Sequence, residues 1–189
     1  MRFIKRFLTI SITSAIIIIL TPFLLIIAFS IKLTSSGPIL YWSTRMGYLN
    51  HPFYIPKFRT MYVHTPTIAT NLLKKPSSYL TFMGPFLRKT SLDELPQLWS
   101  ILKGDMTFVG PRPVLLSEKN LIDLRTKNSV HTLIPGLTGW AQINGRDTLP
   151  DLEKVKLDVE YLHRKSLLFD LWIILLTTWQ VFRRQHVSH

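Results

Sequence analysis

The chain has no cysteine, which excludes disulfides, thiolate nucleophiles and cysteine-ligated metals. It also lacks acid in its first 92 residues, where eleven lysines and arginines stand without one Asp or Glu. The other 97 residues carry twelve basic and eleven acidic side chains. Nearly all of the formal net charge of +12 therefore belongs to the first half. Such an excess calls for an anionic partner: nucleic acid, an anionic membrane or phosphorylated substrates. The six histidines (51, 64, 131, 163, 186 and 189) lack the spacing of zinc ligands and read as surface or packing residues. With 189 residues and no internal repeat, there is room for one modest domain and a membrane segment.

What is present begins with a long apolar run. From Phe7 to Ile31 the chain has 25 residues without a charge, bounded by Arg2, Lys5 and Arg6 on one side and Lys32 on the other. As a straight helix this run is ~37 Å long, enough to cross a ~30 Å hydrocarbon core. It is long for the apolar stretch of a signal peptide and lacks a small-x-small cleavage site. Pro22 removes one helical hydrogen bond near the middle, predicting a kink between Ile18 and Pro22, and the Thr21 hydroxyl is placed to satisfy freed backbone groups. Basic residues on both flanks favour a helix–break–helix that enters and leaves the same leaflet. A kinked spanning helix is the alternative.

Ser35-Ser36-Gly37-Pro38 ends this segment. Ile39 to Thr44 and Phe53 to Phe58 read as strands of a small hairpin connected through Gly47 to Pro52. Residues 64 to 78 read as a loop. Leu95, Leu98, Trp99 and Leu102 have helical spacing, with a stop at Gly104. The start of that helix is contested: Ser91-x-x-Glu94 looks like a capping box, yet Pro96 prefers the first turn; an N-cap at Asp93 would ease the conflict, and both starts stay open. A helix is predicted after Pro113 and another from Pro150 on Leu152, Val155, Val159 and Leu162. Residues 167 to 182 are apolar, carry Trp172 and Trp179 and end in Arg183-Arg184. They read as a helix lying at a membrane interface, with core packing as the alternative.

The carboxylates Asp93 and Glu94 are the first in the chain and stand side by side at a helix start. The helix dipole, Arg88 and Lys89 favour their ionised forms. An ionised Asp can attack phosphorus, and a neighbouring carboxylate can hold Mg²⁺. Plain N-terminal charge placement is the competing reading. Three clusters accompany the pair: Lys57-Phe58-Arg59-Thr60-Met61, Gly110-Pro111-Arg112-Pro113, and the stretch from Pro135 to Arg146. Their cations, Lys57 and Arg59 included, are candidate phosphate ligands, since arginine on a constrained backbone presents a preorganised guanidinium. Three glycines in the last cluster, 136, 139 and 145, would let backbone N–H groups approach a ligand.

The string Arg88-Lys89-Thr90-Ser91-Leu92-Asp93-Glu94-Leu95-Pro96-Gln97-Leu98-Trp99, continuing through Leu102-Lys103-Gly104-Asp105-Met106 to Val109-Gly110-Pro111-Arg112-Pro113, resembles the bacterial sugar transferase family, the small monotopic phosphoglycosyl transferases. The Lys57–Met61 and Pro135–Arg146 clusters are similar to the same family in order and spacing. The resemblance implies an α+β, mainly helical fold. Its parts are a re-entrant membrane helix over residues 1–34, a small β-hairpin, and interfacial amphipathic helices around the active site. Residues 35–189 would form a cytoplasmic, membrane-associated catalytic domain on the inner face of the bacterial cytoplasmic membrane. It further implies that Asp93 is the nucleophile and Glu94 its partner at Mg²⁺ or Mn²⁺. Arg88, Arg112 and Arg146 would surround a diphosphate, Asp170 would be a further acid of unassigned role, and Thr21-Pro22 would form the membrane hinge. The implied partners are a UDP-sugar, a polyprenyl (undecaprenyl) phosphate and membrane lipid, with no nucleic acid. The implied reaction moves a sugar-1-phosphate between the first two through an aspartyl-phosphosugar, releasing UMP, as the first membrane step of a surface glycan pathway. Two positions depart from the family pattern. Lys5-Arg6 is followed by Phe7-Leu8-Thr9 where the family usually has an Asp, and the segment Ser77–Gly84 lacks the usual basic residue before its glycine. A catalytically inactive scaffold of the same family and a basic binding protein are the other two readings.

Overall fold

The computed structural model describes residues 2–66, 75–145 and 149–183. The chain forms two compact units. Among the described residues, one comprises 2–43, 56–66 and 75–99, and the other 44–55, 100–145 and 149–183.

The first unit is built on helix α1 (Arg2–Thr34). Its stretch Arg6–Thr34 is long and apolar enough to cross a membrane, and 11% of its most apolar window is buried. Ile18, Ile19, Leu25, Ile26 and Phe29 are all exposed. A helix that shows this much apolar surface is a membrane-association element, since water would penalise every one of those side chains. The helical backbone continues through Pro22. Proline's missing N–H leaves the Ile18 carbonyl without its usual donor. The Thr21 hydroxyl bonds the Ile17 carbonyl at 2.7 Å, one residue short of the freed group. Towards its C-terminal end α1 gains a partner: Ile27 and Ile31 pack with Phe58 and Leu87, joined by Leu24, Ile39, Met83 and Leu92.

The hairpin forms much as its pattern predicts. Strand β1 (Leu40–Met46) lies beside β2 (Pro52–Phe58), and Leu49 and Asn50 in the turn take left-handed backbone angles. Helix α2 (Gly84–Lys89) follows, and Gly84 is required there because a Cβ would stand 2.4 Å from the Thr60 carbonyl oxygen. A 3₁₀ helix over Leu92–Gln97 then leads into α3 (Leu98–Lys103), which stops at Gly104 as expected. The capping box does not form. Ser91 has a left-handed backbone and makes no side-chain cap bond, and Pro96 lies within the 3₁₀ turns.

In the second unit β3 (Thr107–Val109) pairs in parallel with β5 (Gly136–Thr138). Strand β4 (Val114–Leu115) pairs antiparallel with the far end of β1, Arg45 opposite Leu115. The helix predicted after Pro113 begins later, as α4 (Lys119–Lys127), because Val114 and Leu115 are used as a strand. Helix α5 (Trp140–Ile143) is a single turn. Helix α6 (Asp151–Arg164) starts behind Pro150 as predicted, and α7 spans Leu167–Arg183. The unit's core joins Val109, Val130, Leu133, Ile143, Tyr161, Phe169 and Ile173.

Candidate active site

The first unit brings four of the sequence-selected residues together. Asp93 and Glu94 open the 3₁₀ turns and are 6% and 7% exposed, so a pair of carboxylates is buried side by side. Lys57, near the end of β2, donates from Nζ to Glu94 Oε1 at 2.8 Å. Arg88, on the last turn of α2, acts electrostatically on Asp93, and its Nε donates to Thr60 Oγ1 at 2.9 Å. Burial lowers Arg88 from its ordinary pKa, and Asp93 draws it back up. Asp93 Oδ1 is buried without a hydrogen-bond partner. Burial, then the charge of Glu94, raises the Asp93 pKa from 3.8 to about 6; Lys57, Arg88 and a backbone hydrogen bond pull the other way. The result is a carboxylate with one oxygen directed to no protein donor, poised between protonation states and flanked by two cations. Such a group can act as a nucleophile or a metal ligand.

Those features also test for a divalent cation. Among the described residues no cluster of three or more His, Asp or Glu could hold one. Mg²⁺ does not need such a cage, since it is commonly held by one or two carboxylates with waters and substrate phosphates. The unpartnered Asp93 oxygen beside Glu94 fits that mode of binding.

Arg59 shares the Lys57–Met61 motif, and its guanidinium is engaged at the end of α1. Its guanidinium is 4% exposed and donates to the Ser35 and Ser36 carbonyls and to Ser35 Oγ. Its fork closes the C-terminal end of α1, where helix carbonyls lack intrahelical donors. Gly37, with φ +112°, makes room for this contact.

Arg112 and Asp170 belong to the second unit. The carbonyl of Arg112 accepts from Arg125 Nη1 at 2.7 Å. Asp170, in the first turn of α7, accepts from Tyr161 Oη at 2.7 Å, and the same hydroxyl reaches the Val109 carbonyl at 3.1 Å. Burial and then Asp170 raise the Tyr161 pKa, so the phenol stays a neutral donor. Arg146 lies outside the described residues. Gly136 and Gly139 lie against the backbone of Gly110. They serve close backbone packing: a Cβ at either would stand 2.1 Å from the backbone of Gly110.

Sequence reasoning missed Thr60, although it stands inside the Lys57–Met61 motif. It also missed the buried pair Arg125–Asp158, at 2.7 Å. A signal existed: Arg125 follows buried Leu121 by four residues and Asp158 follows buried Val155 by three, putting both charges on the apolar faces of their helices.

Residues 1–184 match the family model for bacterial sugar transferases. The UDP-glucose:undecaprenyl-phosphate glucose-1-phosphate transferase of Escherichia coli K12 is 38% identical over 96% of this chain, which spans 40% of that relative. An Aeromonas hydrophila UDP-N-acetylgalactosamine-undecaprenyl-phosphate N-acetylgalactosaminephosphotransferase is 32% identical over 96% of this chain and 43% of its own length. The exopolysaccharide production protein ExoY of Sinorhizobium fredii is 35% identical over 92% of this chain, and here 83% of the relative is covered. The chain thus spans about two fifths of the length of the first two relatives and most of the third.

Proposed function

Because this chain belongs to the bacterial sugar transferase family, we propose that it transfers a sugar-1-phosphate from a UDP-sugar to undecaprenyl phosphate with Asp93 as the nucleophile. The observation that carries this reading is the buried Asp93 oxygen without a protein partner, set beside Glu94 and between the charges of Lys57 and Arg88. In the first step an Asp93 oxygen forms a bond to the sugar-linked phosphorus and the bond to UMP breaks. In the second, an oxygen of polyprenyl phosphate attacks the same phosphorus and the Asp93 carboxylate leaves. Each step makes one P–O bond and breaks one, so no water or redox partner is consumed. Lys57 and Arg88 neutralise charge that gathers on the phosphoryl oxygens. Arg112 and Arg146 are assigned to substrate phosphates from their motifs. A Mg²⁺ or Mn²⁺ held by Asp93 and Glu94 would supply further neutralisation of those oxygens.

The membrane arrangement is part of the reading. One substrate is soluble and the other lies in lipid, so an enzyme joining them works at an interface. We assign α1 as a re-entrant anchor with both ends at the cytoplasmic face. Helix α7, with Leu168, Leu171, Trp172, Leu175 and Trp179 exposed, is assigned to the plane of the membrane surface. Two relatives are named for different sugars, glucose and N-acetylgalactosamine, so the donor is left at the level of UDP-sugars, hexoses and N-acetylhexosamines alike.

The test is UMP release from a panel of UDP-sugars with undecaprenyl phosphate, together with intact-mass measurement when the acceptor is withheld. The expected result is UMP release with at least one donor and, without acceptor, a mass gain of one sugar phosphate that Asp93→Asn abolishes. UMP release by Asp93→Asn at a rate near wild type would overturn the nucleophile assignment.

A further inference from the structure

We infer that Arg125, held by Asp158, is a positioning residue that fixes the backbone presenting Arg112 to a substrate phosphate; this rests on the phosphate role assigned to Arg112 above. Arg125 projects from α4 with 8% of its surface exposed, and Asp158 on α6 is 2% exposed. The guanidinium places Nε 2.9 Å and Nη2 2.7 Å from Asp158 Oδ2, and its third nitrogen, Nη1, reaches the Arg112 carbonyl at 2.7 Å. All three nitrogens are thus engaged, two by the carboxylate and one by the turn.

A buried ion pair is a poor device for stability alone, because desolvation of the two charges offsets most of their attraction. The apolar contacts of Val114, Leu121 and Val155, with Met46 and Val159 packed around them, already join these elements. What apolar side chains cannot supply is a donor aimed at a carbonyl. The turn Gly110–Pro113 needs one. Its prolines have no N–H, and backbone bonds hold it at residues 110 and 111: Gly110 N to Thr138 O and Gly136 N to Pro111 O, each 2.9 Å. Arg125 adds the anchor at residue 112 itself. With φ of Pro111 and Pro113 restricted by their rings, fixing the carbonyl of Arg112 sets the direction in which its side chain leaves the turn. Asp158 in turn fixes Arg125, so the pair acts on Arg112 through the backbone.

The experiment uses the full chain in detergent and measures UDP affinity by calorimetry, since UDP carries the diphosphate common to all the proposed donors. Melting temperature and kcat/KM with the most active panel donor are measured beside it. The variants are Arg112→Lys, Arg125→Lys, their double, and the paired Arg125→Met with Asp158→Leu. Lysine at 125 can meet Asp158 or the carbonyl but lacks the fork to hold both. Arg125→Lys is expected to weaken UDP binding and lower kcat/KM by roughly tenfold or more, the scale set by small misplacements of a binding group. The double variant is expected to be no worse than Arg112→Lys alone, because one route is lost only once. The paired apolar variant is expected to melt near wild type and still lose UDP affinity.

Wild-type affinity and turnover in the paired variant would overturn the inference, as would losses that multiply in the double variant. If the paired variant does not fold, Arg125→Lys and the double variant decide the matter alone. A normal Arg112→Lys variant is a different result, since it overturns the phosphate role of Arg112 itself. Loss in Arg112→Lys with no loss in Arg125→Lys removes only the positioning role.

Discussion

Asp93 carries its charge in a place that disfavours it. Burial and the neighbouring Glu94 outweigh Lys57 and Arg88, so its folded-state pKa stands at about 6 against an ordinary 3.8. The sign of the linkage follows. An acid whose folded pKa is raised contributes stability that is complete below its unfolded pKa and disappears as pH rises through the folded value. Between about pH 4 and 6 the native state therefore loses up to ~3 kcal/mol at this one residue, at ~1.4 kcal/mol per pKa unit. Asp93→Asn removes the ionisation. Its melting temperature, measured in chelator, should match wild type near pH 4 and exceed it by several degrees at pH 7. Added Mg²⁺ should then raise wild type and leave Asp93→Asn nearly unmoved, since only the ionised carboxylate gains a partner. A variant less stable than wild type at pH 7 would contradict the buried-charge account, and a Mg²⁺ response equal in both would remove the cation from Asp93. The acidic pair itself was legible in the sequence as the first carboxylates after 92 residues without any. Their burial was not, because a short polar 3₁₀ segment has no periodicity that tells which face turns inward.

Elements built on local pattern were the ones readable in advance. Alternating apolar and turn residues specified the hairpin, and the 3.6-residue spacing from Leu152 to Leu162 specified α6. The parallel pairing of β3 with β5 joins two three-residue strands far apart in the chain, and a run that short has no usable period. The packing of Gly136 and Gly139 on Gly110 that accompanies it was not legible either, since glycine serves close approach to a ligand and to backbone alike. The contacts of Arg59 with Ser35 and Ser36 were not legible, since a guanidinium suits a phosphate and helix-end carbonyls equally well. Those contacts give a test at the level of the α1–β2 junction. Arg59→Ala leaves the carbonyls of Ser35 and Ser36 and the Ser35 hydroxyl without their donor. At ~1.5–3 kcal/mol for a hydrogen bond to a charged group, destabilisation of about 2–5 kcal/mol is expected. UMP release per folded molecule should be largely retained. Lys57→Ala, which removes the Nζ donor to Glu94 Oε1, should show the reverse pattern, with turnover falling far more than melting temperature. Equal loss of activity in both variants at wild-type stability would place Arg59 in the phosphate-binding set.

The charge of the whole molecule bears on how α1 meets the membrane. Arg2, Lys5 and Arg6 stand at its beginning and Lys32 near its end, and the helix between them continues through Pro22. If α1 crossed the bilayer with Lys32 inside, three cations would sit on the outer side. Moving them outward against a potential of 100 mV, at ~2.3 kcal/mol per charge, costs roughly 7 kcal/mol. A re-entrant path avoids that cost and keeps the basic residues with the anionic inner leaflet, in line with the positive-inside rule. Its own cost is a bend at Pro22, where the Ile18 carbonyl has already lost its helical donor. The absence of cysteine makes the question directly measurable, because any introduced thiol is the one site of labelling. Phe3→Cys reports the start of α1, and Lys119→Cys, at an exposed position on α4, reports the second unit. In intact spheroplasts a membrane-impermeant maleimide should label neither variant, and after permeabilisation it should label both. Labelling of Phe3→Cys alone in intact spheroplasts would mean that α1 spans the membrane, and the re-entrant assignment would fall while the chemistry assigned to Asp93 stood.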